Sequence, residues 1–131
     1  KNWTKALNAN PLPWLLEPEN PSVRYWALVD LLDRPPDSPE VLEARQAVCD
    51  LPLVRELFAR QHSRGHWGED ESKPYTAEGT LGVLSLLHLL GVPPDERTAA
   101  GCDTFLKNGQ HESGGFPHTP RLRGGIFPRT P

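Results

Sequence analysis

Hydrophobic residues recur at helical spacing in five windows of this chain, and prolines and glycines fall between the windows. The first window runs from Pro21 to about Asp33 and contains Val23, Tyr25, Trp26, Ala27, Leu28, Val29, Leu31 and Leu32. Apolar side chains lie on nearly every side of it, which predicts a helix buried around most of its circumference. Asn20-Pro21 reads as its start and Pro35-Pro36 as its stop. Residues 39–50 behave differently: Val41, Ala44, Ala47 and Val48 form one stripe, and Glu40, Glu43 and Arg45 take the other side. Pro52 opens a second one-faced helix through Leu53, Val54, Leu57 and Phe58, ending near Gln61.

The alternation then repeats. Residues 76–90, with Thr76 as the expected cap, carry Leu81, Val83, Leu84, Leu86, Leu87, Leu89 and Leu90 and again predict a helix apolar all round. Gly91 and Pro93-Pro94 close it. Asp95 opens the last window, 96–108, whose expected apolar stripe is Ala99, Cys102, Phe105 and Leu106. Residues 1–20 read as an irregular lead-in with a short helix at 3–8, residues 21–116 as the repeated region, and residues 117–131 as a Pro/Gly/Arg-rich tail with no regular element.

A shared corner sits at the end of each outer helix. Gln61-x-x-x-Gly65-x-Trp67 and Gln110-x-x-x-Gly114-x-Phe116 align with every matched pair 49 residues apart, which marks an internal repeat. Buried-type helices alternating with one-faced helices predict two concentric layers. In such a corner the glutamine amide can satisfy backbone groups left free at a helix end, the glycine permits the turn, and the ring covers the junction.

These two corners resemble the QW motifs of the squalene and terpenoid cyclases and of the protein prenyltransferase β-subunits. The resemblance spans about residues 21–116 and implies an all-α fold of α/α-toroid helical hairpins, here about two repeats and so an incomplete toroid. It also implies an apolar cavity for an isoprenoid-like ligand, for which Tyr25, Trp26, Trp67, Asp70 and Tyr75 are the candidate lining. The family's chemistry is not carried over. Its Asp-rich acid segment, its magnesium-binding aspartate run and its zinc-holding Asp, Cys and His have no match, since Glu69-Asp70-Glu71 and Cys102-Asp103 lack the pattern. Whether the chain is an enzyme stays open, and no cofactor or metal is expected. Two functions follow: a toroid protein, or a piece of one, that holds an apolar small molecule, and a non-catalytic helical-repeat module for binding or assembly. Repeat arrays want at least three units, so either a longer chain or self-association would complete this one.

Composition narrows the partners. The 131 residues carry a net charge of −3 and 37% apolar residues, which suits one globular domain and argues against a nucleic-acid surface. No apolar run is long enough to span a bilayer, and a cytoplasmic location is expected. Cys49 and Cys102 are expected as free, buried thiols rather than a disulfide. His62 and His66 share helical metal-ligand spacing, but they lie in a turn with no third ligand in register. Cys102, His111 and His118 follow no metal spacing either, His88 reads as a hydrogen-bonded core or edge residue, and Arg121, Arg123 and Arg129 belong to a basic tail.

Overall fold

The computed structural model describes residues 3–111 and 113–116, and the tail at 117–131, with His118 and its three arginines, lies outside them. The described residues are all-helical, with no strand among them. After a 3-10 turn at Trp3–Ala6 come α1 (Leu12–Leu15), α2 (Pro21–Trp26), α3 (Pro39–Cys49), α4 (Pro52–Ala59), α5 (Thr80–Leu90) and α6 (Glu96–Gly109). They group into two compact units. Among the described residues, one holds those up to Ala59 together with Leu86–Pro93, and the other holds Arg60–Ser85 together with those from Pro94 to Phe116.

The first unit is built around Tyr25, Leu28, Val41, Ala44 and Val48, with Leu16, Trp26, Val29, Leu32, Leu51, Leu90 and Val92 packed against them. Val41 and Val48 are fully excluded from solvent, each contributing on the order of 1.5–3 kcal/mol by burial. Beyond α2 the chain does not stay α-helical. Ala27–Leu31 form a π turn, and Leu32 N–H donates to the Ala27 carbonyl at 3.0 Å. The wider coil turns the chain through a smaller angle per residue, so the neighbours Ala27 and Leu28 both reach the core. Two polar ends in this core are matched: Arg45 Nη2 donates to the Tyr25 hydroxyl at 2.6 Å, and Trp26 Nε1 donates to the Leu89 carbonyl at 2.7 Å.

Helix starts correct the sequence reading in two places. Asn20 makes no side-chain cap bond, so Pro21, whose missing N–H costs nothing at that position, carries the start of α2, as Pro39 does for α3. Residues 73–79 form turns closed by Thr76 N–H on the Lys73 carbonyl and Gly79 N–H on the Thr76 carbonyl, and α5 therefore begins at Thr80 rather than Thr76. Asp95 opens α6 as expected. Its carboxylate accepts from the amides of Arg97 and Thr98, and Thr98 Oγ1 accepts from the Asp95 amide in return. Burial pushes the Asp95 carboxyl up, but the Thr98 and Arg97 hydrogen bonds outweigh it and leave the group below its usual value.

The second unit corrects α6. Its expected apolar stripe is not its packing face: Ala99, Cys102 and Leu106 are exposed, and only Phe105 of that set is half-buried. The buried position is Gly101, which lies against the Trp67 ring and Leu84. Cys102 is accordingly an exposed thiol and Cys49 a half-buried one.

Candidate functional site

The two glutamine corners have the same backbone. In the first, His62 N–H donates to the His66 carbonyl at 2.9 Å and Gly65 N–H to the His62 carbonyl at 2.8 Å. In the second, His111 N–H donates to the Gly115 carbonyl at 2.8 Å and Gly114 N–H to the His111 carbonyl at 2.8 Å. Gln61 Nε2 donates across its turn to the Gly65 carbonyl at 2.8 Å, and Gln110 Nε2 to the Gly114 carbonyl at 3.1 Å. The glycines take φ values of 89° and 84°, a left-handed conformation that side-chain-bearing residues resist.

What surrounds the two corners differs. Gln61 Nε2 also reaches the Arg97 carbonyl at 2.8 Å, and Thr104 Oγ1 donates to the Arg64 carbonyl at 2.6 Å, so α6 is held along one face. Trp67 is 1% exposed, and a Cβ on Gly101 would stand 2.6 Å from its Cζ3. Its main chain is fixed by Thr80, whose Oγ1 accepts from Trp67 N–H at 3.1 Å. Phe116, by contrast, is 41% exposed and stacks on Phe105 with ring centroids 5.3 Å apart. No atom of the described residues lies within 4 Å of where a Gly114 side chain would project.

Beside the first corner sits a small titratable cluster. The His62 and His66 rings stack face to face at 4.1 Å. Stacked rings point their nitrogens outward in parallel planes, which prevents both from converging on one ion. Among the described residues no group of three His, Cys, Asp or Glu could hold a metal. His66 Nδ1 lies 3.0 Å from Glu71 Oε1, and Arg64 Nη2 lies 2.8 Å from the same oxygen. Those approaches are electrostatic and not along hydrogen-bond axes, since both buried atoms lack a hydrogen-bond partner. Burial pushes the His66 imidazole below its usual pKa, Glu71 partly opposes this, and His62 and Arg64 add to it.

The five proposed cavity residues fall into both units. Tyr25 and Trp26 belong to the first, with rings in edge contact at 4.8 Å. Trp67, Asp70 and Tyr75 belong to the second. There Trp67 is buried, Tyr75 meets Phe105 edge-on at 5.9 Å, and Asp70 is exposed, accepting from Ser72 N–H at 2.9 Å. Ser72 holds the Asp70 carboxyl below its usual pKa. The acid that turns inward is Glu71, which Asn108 Nδ2 also approaches at 3.4 Å. Nothing in the sequence pattern separates Glu71 from its neighbours. Thr80, Gly101 and Thr104 carry no signal in the apolar pattern either, being small or polar residues. His88 is exposed at the ring edge of Trp26, and His111 Nδ1 lies 2.9 Å from Ser113 Oγ.

Compared with family models, curated proteins and solved structures, the chain matches none of them.

Proposed function

We propose that this chain comprises two repeats of an α/α toroid of the squalene cyclase and prenyltransferase kind and works as a non-catalytic binding and assembly module. The carrying observation is the use made of the first corner. Its glutamine, glycine and tryptophan, the residues the resemblance singles out, are all engaged in holding α6. The cavity reading has weaker support. The Tyr25 hydroxyl, the Trp26 indole N–H and the Asp70 carboxylate, which a ligand would need to meet, already have partners within the fold. Several apolar side chains instead face water, among them Leu89, Leu106 and Phe116. Exposed apolar surface of this kind marks a contact for another chain when it is contiguous.

The test has two arms. Squalene and farnesyl diphosphate with magnesium are incubated with the chain and the products separated, and sedimentation velocity is run over a concentration series and with cell extract. Unchanged substrates, together with a larger sedimenting species that Leu106→Glu disrupts, are the expected results. Turnover above that of heat-denatured protein would overturn the reading, as would a monomer that binds a labelled isoprenoid alcohol saturably.

A further inference from the structure

The two corners share one turn, and the repeat shows what that turn does not require. Where the first corner has His66 the second has Gly115, and the same backbone hydrogen bonds close both. His66 is 4% exposed, and its Nδ1 is shut away from water with no hydrogen-bond partner among the described residues. A buried polar atom left unmatched, at a position where glycine also serves, calls for a role beyond shape. We propose that the His62–His66 stack is an acid-operated latch: a proton taken up by His66 opens the first corner and loosens its grip on α6, ahead of unfolding of the unit around it.

The charged and titratable groups that act on His66 come from two segments. His62 and Arg64 belong to the corner itself, and Glu71 to the turn that follows it. From α6 comes the uncharged Asn108 amide, which reaches the other oxygen of Glu71. A neutral imidazole suits this place. Its ring lies 4.1 Å from the His62 ring, and the Glu71 charge is already met by Arg64 at 2.8 Å. An imidazolium does not suit it. Both of its ring nitrogens are donors that need acceptors, yet Glu71 Oε1, at 3.0 Å, lies off the hydrogen-bond axis of Nδ1. The new charge would also stand in a dry site beside the His62 ring and the Arg64 cation. Burial leads in pushing the His66 imidazole below its usual pKa, and His62 and Arg64 add to it against the pull of Glu71. Opening gives the ring water and frees its Nδ1–H to turn toward Glu71. The open form therefore takes the proton more readily, and falling pH favours it. The release reaches α6 because the same turn carries its holding contacts. Gln61 Nε2 bridges the Gly65 and Arg97 carbonyls, and Thr104 Oγ1 bonds the Arg64 carbonyl.

Hydrogen exchange followed by NMR on the full chain, between about pH 7.5 and 5, tests the latch. The groups read are the main-chain amides of His62 and Gly65 and the side-chain amide of Gln61, each corrected for its intrinsic rate. The reference is Val83 N–H in the same unit, buried in α5 and bonded to the Gly79 carbonyl at 2.9 Å. Protection of the corner groups should lie below that of Val83 and fall as pH drops below about 6.5, by up to about tenfold per pH unit. His66→Gln should abolish the fall, and Glu71→Gln, which removes the opposing charge, should deepen it. Protection that stays flat across the range overturns the proposal, as does a fall that persists in His66→Gln. So does protection equal to that of Val83 at every pH, since the corner would then open only with the whole unit. The comparison with Val83 needs no variant, and an NMR titration of His66 with its midpoint at or above about 6.5 would also overturn the latch.

Discussion

Replacing Gly101 by alanine separates two opposing effects on one helix. Alanine is the better helix former, and in an interior position it should gain about 1 kcal/mol over glycine. At Gly101 that gain is overridden. The new methyl would stand 2.6 Å from Trp67 Cζ3, with the Gly65 carbonyl at 3.3 Å and Leu84 Cδ2 at 3.4 Å on its other sides. Trp67 cannot retreat, being 1% exposed and tied through both its N–H and its carbonyl to Thr80 Oγ1. Overpacking of this sort costs about 1–3 kcal/mol, so Gly101→Ala should lower stability by roughly 1 kcal/mol net. Gly109 is the control at the end of the same helix. Its added methyl would meet Phe105 and Phe116 at 3.5 and 3.7 Å, which is ordinary contact, so Gly109→Ala should be neutral or stabilising by up to about 0.5–1 kcal/mol. Urea unfolding followed by circular dichroism reads both, with similar m-values expected. If the two variants shift in the same direction, Trp67 does not lie on the helix backbone as described.

The two corner glycines should also diverge. Gly65→Ala combines a φ of 89° with a methyl 2.7 Å from the Ala100 carbonyl, whereas the Gly114→Ala methyl meets no atom of the described residues within 4 Å and carries a backbone cost of about 1–2 kcal/mol, so the first should be the more damaging in thermal melts. Gln61→Ala removes donors from two carbonyls at once and should cost about 1–3 kcal/mol in urea unfolding, and a loss below about 0.3 kcal/mol would contradict the bonding described. His66 gives a pH signature. Its folded pKa lies below the ordinary 6.5, so the unfolded chain binds the extra proton first. Stability is therefore full above that value and declines as pH falls below it, by at most about 1.4 kcal/mol per pH unit. His66→Gln should flatten the slope between about pH 6.5 and the onset of carboxylate protonation, and a slope unchanged in that variant would place the titration elsewhere.

Much of the fold was legible because it depends on period. The windows at 39–50 and 52–61 became α3 and α4 nearly as expected, and the Asp95 start was signalled by a capping residue whose hydrogen bonds are local. The 49-residue offset likewise located two turns with matching backbone hydrogen bonds. Where periodicity failed, tertiary packing had decided. In α6 the apolar stripe pointed one way, but the close approach is made by Gly101, which contributes no apolar side chain. In α5 Thr76 read as the cap and so suggested an earlier start, yet residues before Thr80 are drawn into turns. The matching of Trp67 with Phe116 was visible as a pattern of types. Their unlike burial was not, because it depends on what packs against each ring and not on the ring itself.

Amide hydrogen exchange at four residues tests most directly whether the two corners are one repeated device. His62, Gly65, His111 and Gly114 donate equivalent turn hydrogen bonds, so all four amides should exchange more slowly than unstructured peptide. Gln61→Ala should release the first pair and Gln110→Ala the second, each without affecting the other. Protection of His62 and Gly65 with free exchange at His111 and Gly114 would contradict the equivalence and leave the second corner as a chance likeness of sequence.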